Sequence, residues 1–246
     1  MTQTKDNNTQ YKFDAVIIGG GHAAAEAALA CARTGLKSCM LVLNLDSIGL
    51  LACNPSIGGT SKGHLVREID ALGGQMGLVT DATAIQFRML NKGKGPAVWS
   101  PRAQCDREKY IVEWRRHLDR TPNLDIWQDQ ADELLVENGT AVGVRTIWGV
   151  ELRSKSTIVC AGTFLNGLMH IGKHKVAGGR IAEPAVSDFT ESITRWGIRM
   201  GRMKTGTPVR MDKRTIHFED TEEQPGDSVI NTFSYFKIQF IKSQYC

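Results

Sequence analysis

The stretch that most constrains the fold runs from Phe13 to Glu26, with the sequence FDAVIIGGGHAAAE. Its apolar run, Ala15 to Ile18, predicts a buried strand, and the three glycines that follow predict a tight turn. A helix is expected from Ala23 to Arg33, and Gly35 is the residue type that commonly ends one. The pattern therefore predicts a strand, a glycine turn and a helix near the start of the chain.

This turn matches the dinucleotide-binding fingerprint Gly-x-Gly-x-x-Gly/Ala at Gly19, Gly21 and Ala24. Gly19 permits the tight turn, and Gly21 lets the backbone approach a pyrophosphate. Ala24 is small enough for the helix to lie against the strand. The helix N-terminus adds N–H groups and the positive end of a dipole. We therefore predict dinucleotide binding; the alternative is a strand–helix turn without a ligand.

The composition is that of an ordinary globular protein, with 246 residues, of which 41% are hydrophobic and 23% charged. No segment approaches the ~20 apolar residues of a membrane span, so no membrane contact is expected. Residues 1–10 are polar and lack the apolar core of a secretory signal, and we expect residues 1–12 to be a disordered leader. The six cysteines include no Cys-x-x-Cys pair. This argues against a zinc site or disulfide scaffold and favours a cytoplasmic protein.

A second glycine-rich stretch, residues 48–63, contains Cys53 and glycines that would let the backbone pack closely on a ligand. It is not a P-loop, because that motif needs Gly-Lys followed by Ser or Thr and the order here is Ser-Lys-Gly. A helix is expected from His64 to Leu72, because Leu65, Ile69 and Leu72 recur at helical spacing. Just upstream, the acidic residue that usually bonds the adenosine ribose is displaced or absent, since Asn44 stands near that point and Asp46 follows.

Residues 76–104 predict mixed loop and short elements, with basic side chains and Trp99 among glycines and prolines. Such a loop could hold a phosphate backbone or stack on a base. The alternative is a solvated surface loop, which is the usual role of a run of charges. The basic residues are Arg88, Lys92, Lys94 and Arg102.

Beyond this loop the pattern predicts a helix, Asp106 to Thr121, whose stripe of Tyr110, Trp114 and Leu118 is expected in the core. A third parallel strand is expected from Leu124 to Trp127. Short strands follow at residues 134–136, 141–147, 150–153 and 157–161, with Asn138-Gly139 as a type I′ hairpin turn.

The predicted fold class is therefore α/β: a Rossmann-like parallel sheet with an inserted antiparallel β-meander. This plan resembles flavoproteins with two dinucleotide-binding domains. The resemblance implies that the backbone near Ala131 meets the adenine and that the returning strand ends beside the flavin nucleotide at Gly162. Farther on, His170 and His174 have the spacing of metal ligands on a helix, but Gly172 disfavours a helix and no third ligand is near. We expect no metal site.

Seven runs of sequence occur in one order along the chain. They are GGGHAAAEAA (19–28), CNPSIGG (53–59), VREIDALGG (66–74), IQFRMLN (85–91), KGPAVWSPRAQ (94–104), GTFLNG (162–167) and GRMKTGTP (201–208). Together they resemble the MnmG (GidA) family of FAD-dependent tRNA wobble-uridine modification enzymes, over about residues 13–227.

The resemblance implies a carboxymethylaminomethyl or aminomethyl group installed on C5 of the wobble uridine of tRNA, together with a partner GTPase, MnmE. Methylenetetrahydrofolate supplies the methylene, glycine or ammonium the nitrogen, and FAD with NADH the redox chemistry. A homodimer is implied for the family. The residues that the resemblance assigns to FAD are Gly19, Gly20, Gly21, His22, Ala23, Ala24, Ala131 and Gly162.

Cys53 matches a cysteine regarded in that family as a nucleophile. C5 of uracil is a poor nucleophile, but a thiolate added at C6 turns the ring into an enolate whose C5 attacks an electrophilic methylene. The alternative for a single cysteine is a small buried apolar residue.

After Gly226-Asp227 the resemblance ends in an aromatic, lysine-rich stretch. We expect an FAD-binding domain at residues 13–205, the start of an inserted second domain at 206–227 and a non-family tail at 228–246. The chain would then be a truncated member that lacks full activity. Two alternatives are an NADH-dependent flavin oxidoreductase, which would not need the Cys53 thiol, and an inactive FAD-binding remnant.

Overall fold

The computed structural model describes residues 12–236, which contain eleven β-strands and five α-helices. The strands are β1 (Phe13–Ile18), β2 (Ser38–Val42), β3 (Ser56–Gly58), β4 (Ala84–Leu90), β5 (Ser100–Cys105), β6 (Leu124–Gln128), β7 (Ala131–Glu137), β8 (Thr140–Thr146), β9 (Glu151–Val159), β10 (Leu168–Ile171) and β11 (His174–Ala177). The helices are α1 (His22–Arg33), α2 (Gly63–Ala71), α3 (Met76–Thr83), α4 (Arg107–Asp119) and α5 (Asp188–Arg195). The expected leader, except Lys12, and the last ten residues of the expected tail lie outside the described residues.

The chain folds into two compact units, each built from two segments. Unit 1 contains the described residues up to Ile48 and those from Asp119 to Gly201. Unit 2 contains residues 49–118 and the described residues from Arg202 onward. The domain limits expected from the sequence stay predictions.

Unit 1 is built on a six-stranded sheet in the order β6-β2-β1-β9-β8-β7. Strands β6, β2, β1 and β9 are mutually parallel, whereas β8 and β7 continue the sheet antiparallel. All five residues of β2 and five of the six in β1 are buried, as expected for central strands covered on both faces. The predicted α/β fold, a parallel sheet extended by an antiparallel meander, is confirmed.

The predicted break between the meander and the returning strand is wrong, because both belong to the single strand β9. Its first residues pair antiparallel with β8, and residues 154–159 pair parallel with β1. The polar Ser154-Lys155-Ser156 sequence indicated a break. In the structure Ser154 is fully buried and its hydroxyl donates to the carbonyl of Ser156 at 2.9 Å, so the strand continues through it.

The hairpin between β7 and β8 turns at Asn138 and Gly139, as the sequence predicts. Both residues have positive φ, 50° and 77°. That combination is the requirement of a type I′ turn, whose twist matches the flanking strands. The turn fixes the register in which Glu137 pairs with Thr140.

Unit 2 contains a three-stranded antiparallel sheet in the order β3-β5-β4, together with α2, α3 and α4. Residues 76–104, for which the sequence predicts mixed loop and short elements, contain the short elements α3, β4 and most of β5. Prolines and charged residues obscure the strand alternation, but β5 still buries Ser100, Pro101, Ala103 and Cys105. The stripe on α4 is confirmed in the core, since Tyr110, Trp114 and Leu118 are fully buried.

Helix α2 turns a different face inward from the one its apolar residues predict. Leu72 is 89% exposed and Leu65 is 48% exposed, whereas Val66 and Asp70 are buried. The cause is a polar contact: a carboxylate oxygen of Asp70 accepts the backbone N–H of Tyr235 at 2.8 Å. A buried, hydrogen-bonded carboxylate is rare enough that periodicity alone does not find it.

His170 and His174 lie on an antiparallel hairpin, β10 and β11, with Gly172 in its turn at φ 57°. Within residues 12–236, no three His, Cys, Asp or Glu side chains are grouped closely enough to hold a metal ion. In the same part of the chain, none of the helices has the length and apolar character that a bilayer crossing requires.

Candidate functional site

The fingerprint glycines lie in unit 1, where β1 ends and α1 begins. Gly19 has φ +132°, and a Cβ added there would lie 2.3 Å from the carbonyl oxygen of Cys160, at the end of β9. The first glycine is therefore required by the close pairing of β1 and β9. A Cβ added to Gly20 would meet Val42 at 3.6 Å, an ordinary contact.

Gly21 behaves differently, because a Cβ added there would meet nothing within 4 Å. It is the N-cap residue of α1, and no side chain caps the helix. His22 is half-buried and Ala23 is exposed at the start of that helix, while Ala24 is fully buried under it. This is an open helix N-terminus with space in front of its backbone, which fits the pyrophosphate of a dinucleotide.

The loops that follow β2 and β6 are each hydrogen-bonded to the last residue of the other strand. The N–H of Asp129 donates to the carbonyl of Val42 at 2.9 Å, and the N–H of Leu45 donates to Oε1 of Gln128 at 3.3 Å. Asn44 stands near the position of the acidic residue that usually bonds the adenosine ribose. Its Oδ1 accepts the N–H of Asp46 at 2.9 Å. Its side-chain oxygen thus caps a short turn of 3₁₀ helix.

The two remaining predicted flavin residues are also in unit 1. Ala131 is buried at the start of β7, and Gly162 is exposed three residues after β9, with φ +56° and no neighbour within 4 Å of an added Cβ. The parallel strands β1, β2 and β9 all end on the edge of the sheet that carries residues 19–21 and 160–162. In open α/β sheets ligands bind outside this edge. The residues present therefore fit a dinucleotide cofactor, although the assignment of each residue stays a prediction.

Cys53 lies in unit 2, in the loop that precedes β3. It is half-buried, and its thiol lies 3.4 Å from the carbonyl oxygen of Gly206, which accepts the S–H. The guanidinium of Arg210 donates to the carbonyl oxygen of Cys53 itself. The contact between this loop and residues 206–210 was not found from the sequence, where the basic stretch 199–210 is remote from Cys53 along the chain.

The other described cysteines are poor nucleophile candidates. Burial raises the pKa of Cys39 and of Cys105 to about 12, and burial also raises the pKa of Cys31 and of Cys160. A thiol must ionise to attack carbon, so a raised pKa lowers the fraction of the reactive thiolate at neutral pH.

Three of the four glycines in the Cys53 loop are required by the protein's own packing and not by a ligand. A Cβ at Gly58 or at Gly63 would lie within 2.6 Å of the carbonyl oxygen of Pro101, and one at Gly49 within 2.5 Å of the Trp114 ring. Gly59 alone among them has no such neighbour. The glycines thus let the loop lie close against β5 and α4.

The basic loop of unit 2 also has internal partners. Arg88 donates to the side chain of Gln224 at 2.6 Å, Lys92 pairs with Asp227 at 2.9 Å, and the Trp99 indole donates to the Lys92 carbonyl at 3.2 Å. Part of this charge therefore holds residues 224–227 in place. Phosphate binding by the loop stays a prediction.

The family model described as Glucose inhibited division protein A matches residues 14–246. This chain belongs to the GidA family. The match includes the expected tail, residues 228–246. It agrees with the resemblance carried by the seven sequence runs.

Relatives of this GidA-family chain include proteins of Bacteroides thetaiotaomicron and Phocaeicola vulgatus, which are 59% and 60% identical to it over 225 residues. Both are named tRNA uridine 5-carboxymethylaminomethyl modification enzyme MnmG. The aligned part covers 92% of this chain but 36% of each relative, so the chain spans little more than a third of their length.

Among solved structures, GidA of Aquifex aeolicus matches with a TM-score of 0.89 and 48% identity, covering 95% of this chain and 40% of that one. A GidA-related protein of Thermus thermophilus matches with a TM-score of 0.55 at 22% identity, covering 76% of this chain and 69% of that one, which shows the shared fold alone. The GidA fold therefore extends over the described parts of both units.

Proposed function

We propose that this chain carries the flavin-binding and thiol-bearing parts of an enzyme that modifies C5 of the wobble uridine in tRNA. The proposal depends on one observation: this chain belongs to the GidA family and carries the thiol of Cys53 in one of the sequence runs that resemble the family. Cys53 is half-buried in a loop that matches the family sequence, whereas burial raises the pKa of the other four described thiols. The names of the relatives support tRNA as the substrate.

The cofactor that we assign to unit 1 is FAD. The backbone at residues 19–21 and the N-terminus of α1 would hold its pyrophosphate, Ala131 would lie at the adenine, and Gly162 would lie beside the flavin nucleotide. When bound, FAD supplies the oxidation and reduction steps, with NADH as the electron source. The protein's contribution is to bind and orient this group.

The chemistry that we assign to unit 2 is covalent catalysis by Cys53. Its sulfur adds to C6 of the uracil, the thiol proton leaves to solvent, and the electron pair of the C5–C6 bond moves to an enolate. C5 then forms a bond to the methylene carbon of methylenetetrahydrofolate, while one of the two C–N bonds of that carbon breaks and leaves its electron pair on the folate nitrogen. Loss of the C5 proton and elimination of the thiolate from C6 restore the ring, so each bond formed by the sulfur is broken again.

The remaining parts of the proposal concern partners. We assign to the whole enzyme a partner GTPase of the MnmE type, a homodimer and a cytoplasmic location, as the family resemblance implies. They apply to the whole enzyme, of which this chain matches little more than a third. Glycine or ammonium would supply the nitrogen of the final group.

The test is a covalent trap for Cys53. An RNA anticodon stem-loop with 5-fluorouridine at the wobble position is incubated with the purified chain, FAD, NADH and methylenetetrahydrofolate. Once C5 has bonded to carbon, fluorine replaces the proton that would normally leave, so the adduct should survive a denaturing gel. We expect such an adduct with the wild type and none with Cys53→Ser.

The same experiment separates the alternatives. NADH oxidation without any adduct in the wild type would favour a simple flavin oxidoreductase. A protein that neither binds FAD nor forms an adduct would favour an inactive remnant. Adduct formation that persists in Cys53→Ser would remove Cys53 from the mechanism.

A further inference from the structure

Residues 206–210 contact Cys53 from two sides within unit 2. The carbonyl oxygen of Gly206 lies 3.4 Å from the thiol sulfur and accepts its S–H. Four residues later, the guanidinium of Arg210 donates to the carbonyl oxygen of Cys53. One short segment thus holds both the side chain and the peptide group of the proposed nucleophile.

The contact with Gly206 has a chemical consequence. A carbonyl oxygen accepts hydrogen bonds and cannot donate one, so the contact with Gly206 engages the thiol proton of Cys53. A thiol aimed at a carbonyl must therefore turn away or be released before its sulfur attacks carbon.

The contact with Arg210 fixes the loop that carries the thiol. The next residues are tied by backbone bonds, since the N–H of Ser56 donates to the Asn54 carbonyl at 2.7 Å and the N–H of Cys105 donates to the Pro55 carbonyl at 2.6 Å. At Cys53 itself, the hydrogen bond from the Arg210 guanidinium to the carbonyl oxygen holds the loop in the same way. A hydrogen bond from a charged donor is among the stronger ones in proteins.

We propose that Arg210 is a positioning residue for Cys53: it holds the Cys53 peptide so that the thiol stays against the Gly206 carbonyl, and its release frees the sulfur to react. This inference deepens the proposed function and rests on it for the catalytic role of Cys53. The contacts themselves are independent of flavin, RNA and any partner.

The test measures the rate at which iodoacetamide alkylates Cys53 in the folded chain. In this reaction the thiol proton goes to solvent, a bond forms between sulfur and the reagent's methylene carbon, and iodide leaves. Mass spectrometry of the tryptic peptides follows Cys53 and, as an internal reference in unit 1, the half-buried Cys31. We expect Arg210→Gln to raise the Cys53 rate by about tenfold, as loss of a charge-assisted hydrogen bond predicts, without changing the Cys31 rate.

Two further variants make the result specific to the guanidinium contact. Arg210→Lys keeps a charged donor and should restore much of the slow rate. Arg214→Gln removes the same charge from the same segment. The guanidinium of Arg214 bonds to Asp212, with its Nε 3.0 and 3.1 Å from the two carboxylate oxygens, so the Cys53 rate should not change.

An unchanged or slower Cys53 rate in Arg210→Gln would overturn the inference, and a slower rate would indicate that the arginine acts through its charge on the thiolate. Equal acceleration at Cys53 and Cys31 would also overturn it, because that result indicates general loosening of the fold. Absence of the RNA adduct described above, with the alkylation result as expected, would count against the proposed function and leave the positioning contact intact.

Discussion

Asp81 binds the backbone at Phe233: its two carboxylate oxygens accept the N–H groups of Phe233 and Ser234, each at 2.8 Å. Asp70 accepts the next N–H, at Tyr235, and the guanidinium of Arg67 donates to the carbonyl of Thr232 at 3.0 Å. Both carboxylates are buried. Helices α2 and α3 therefore hold a segment that follows them by more than 150 residues in the chain, through its backbone.

This arrangement predicts a pH-dependent stability. Burial raises the pKa of Asp81 from 3.8 to about 6, and the charge of Asp70 adds to this increase. The two N–H bonds and the charge of Arg67 lower the pKa but do not offset the effect of burial. A carboxyl with a raised pKa in the folded state adds stability at low pH, and this stability is lost as pH rises from about 4 to about 6. The shift corresponds to about 3 kcal/mol.

The measurement compares the free energy of unfolding of the wild type with that of Asp81→Asn, which cannot titrate, by urea denaturation from pH 4 to pH 7.5. The wild-type value should fall relative to the variant by up to about 3 kcal/mol, with most of the change below pH 6.5. Other carboxyl groups are common to both proteins and cancel in the difference. A difference that does not vary with pH would contradict this account of Asp81.

The burial of the Phe233 side chain predicts how much the segment at residues 232–235 contributes to the stability of the fold. Phe233 is 1% exposed, and the Cζ atom of its ring lies 2.6 Å from the position that a Cβ on Gly58 would take. Phe233→Ala should reduce the free energy of unfolding by about 3 to 5 kcal/mol. Phe236→Ala is the matched control, because Phe236 is 59% exposed and its loss should cost less than about 0.5 kcal/mol. Similar values for the two variants would show that the segment is not held as described.

Gly19 gives a prediction for unit 1. Alanine at this position would combine φ +132° with a Cβ 2.3 Å from the Cys160 carbonyl oxygen. Gly19→Ala should therefore reduce the free energy of unfolding by about 3 kcal/mol or more. Gly20→Ala, whose added Cβ would make only an ordinary contact with Val42, should lie within about 1 kcal/mol of the wild type. Thermal unfolding of both variants measures the difference, and equal melting temperatures would contradict it.

Unit 1 could largely be predicted from the sequence because its signals are local. The apolar run at β1, the glycine turn and the Asn138-Gly139 hairpin each depend on residues that are adjacent in the chain. The error at β9 had a physical cause, since Ser154 is buried with its hydroxyl satisfied by the Ser156 carbonyl, and a polar residue of that kind looks like a strand end.

Unit 2 was predicted less well because its main contacts join distant parts of the chain. Asp70 on α2 is buried by a bond to Tyr235, and Cys53 is held by Arg210, more than 150 residues away. Neither contact leaves a periodic pattern. The family resemblance implies that Cys53 is the reactive residue, but only the folded chain shows which residues contact its thiol and its carbonyl oxygen.

Gly21 allows a prediction that separates binding from stability. Its φ of −83° is accessible to alanine, and an added Cβ would meet no protein atom within 4 Å, so Gly21→Ala should change the free energy of unfolding by less than about 0.5 kcal/mol. The methyl group would nevertheless occupy the space in which a pyrophosphate approaches the backbone, and the affinity for FAD should fall by about tenfold or more. Titration of the purified chain with FAD, monitored by the quenching of flavin fluorescence, measures this loss.

The matched control is Gly201→Ala. Gly201 lies outside residues 19–24, and a Cβ added there would also have no neighbour within 4 Å, so this variant should bind FAD like the wild type. Equal affinities for Gly21→Ala and the wild type would mean that the pyrophosphate does not lie at the N-terminus of α1.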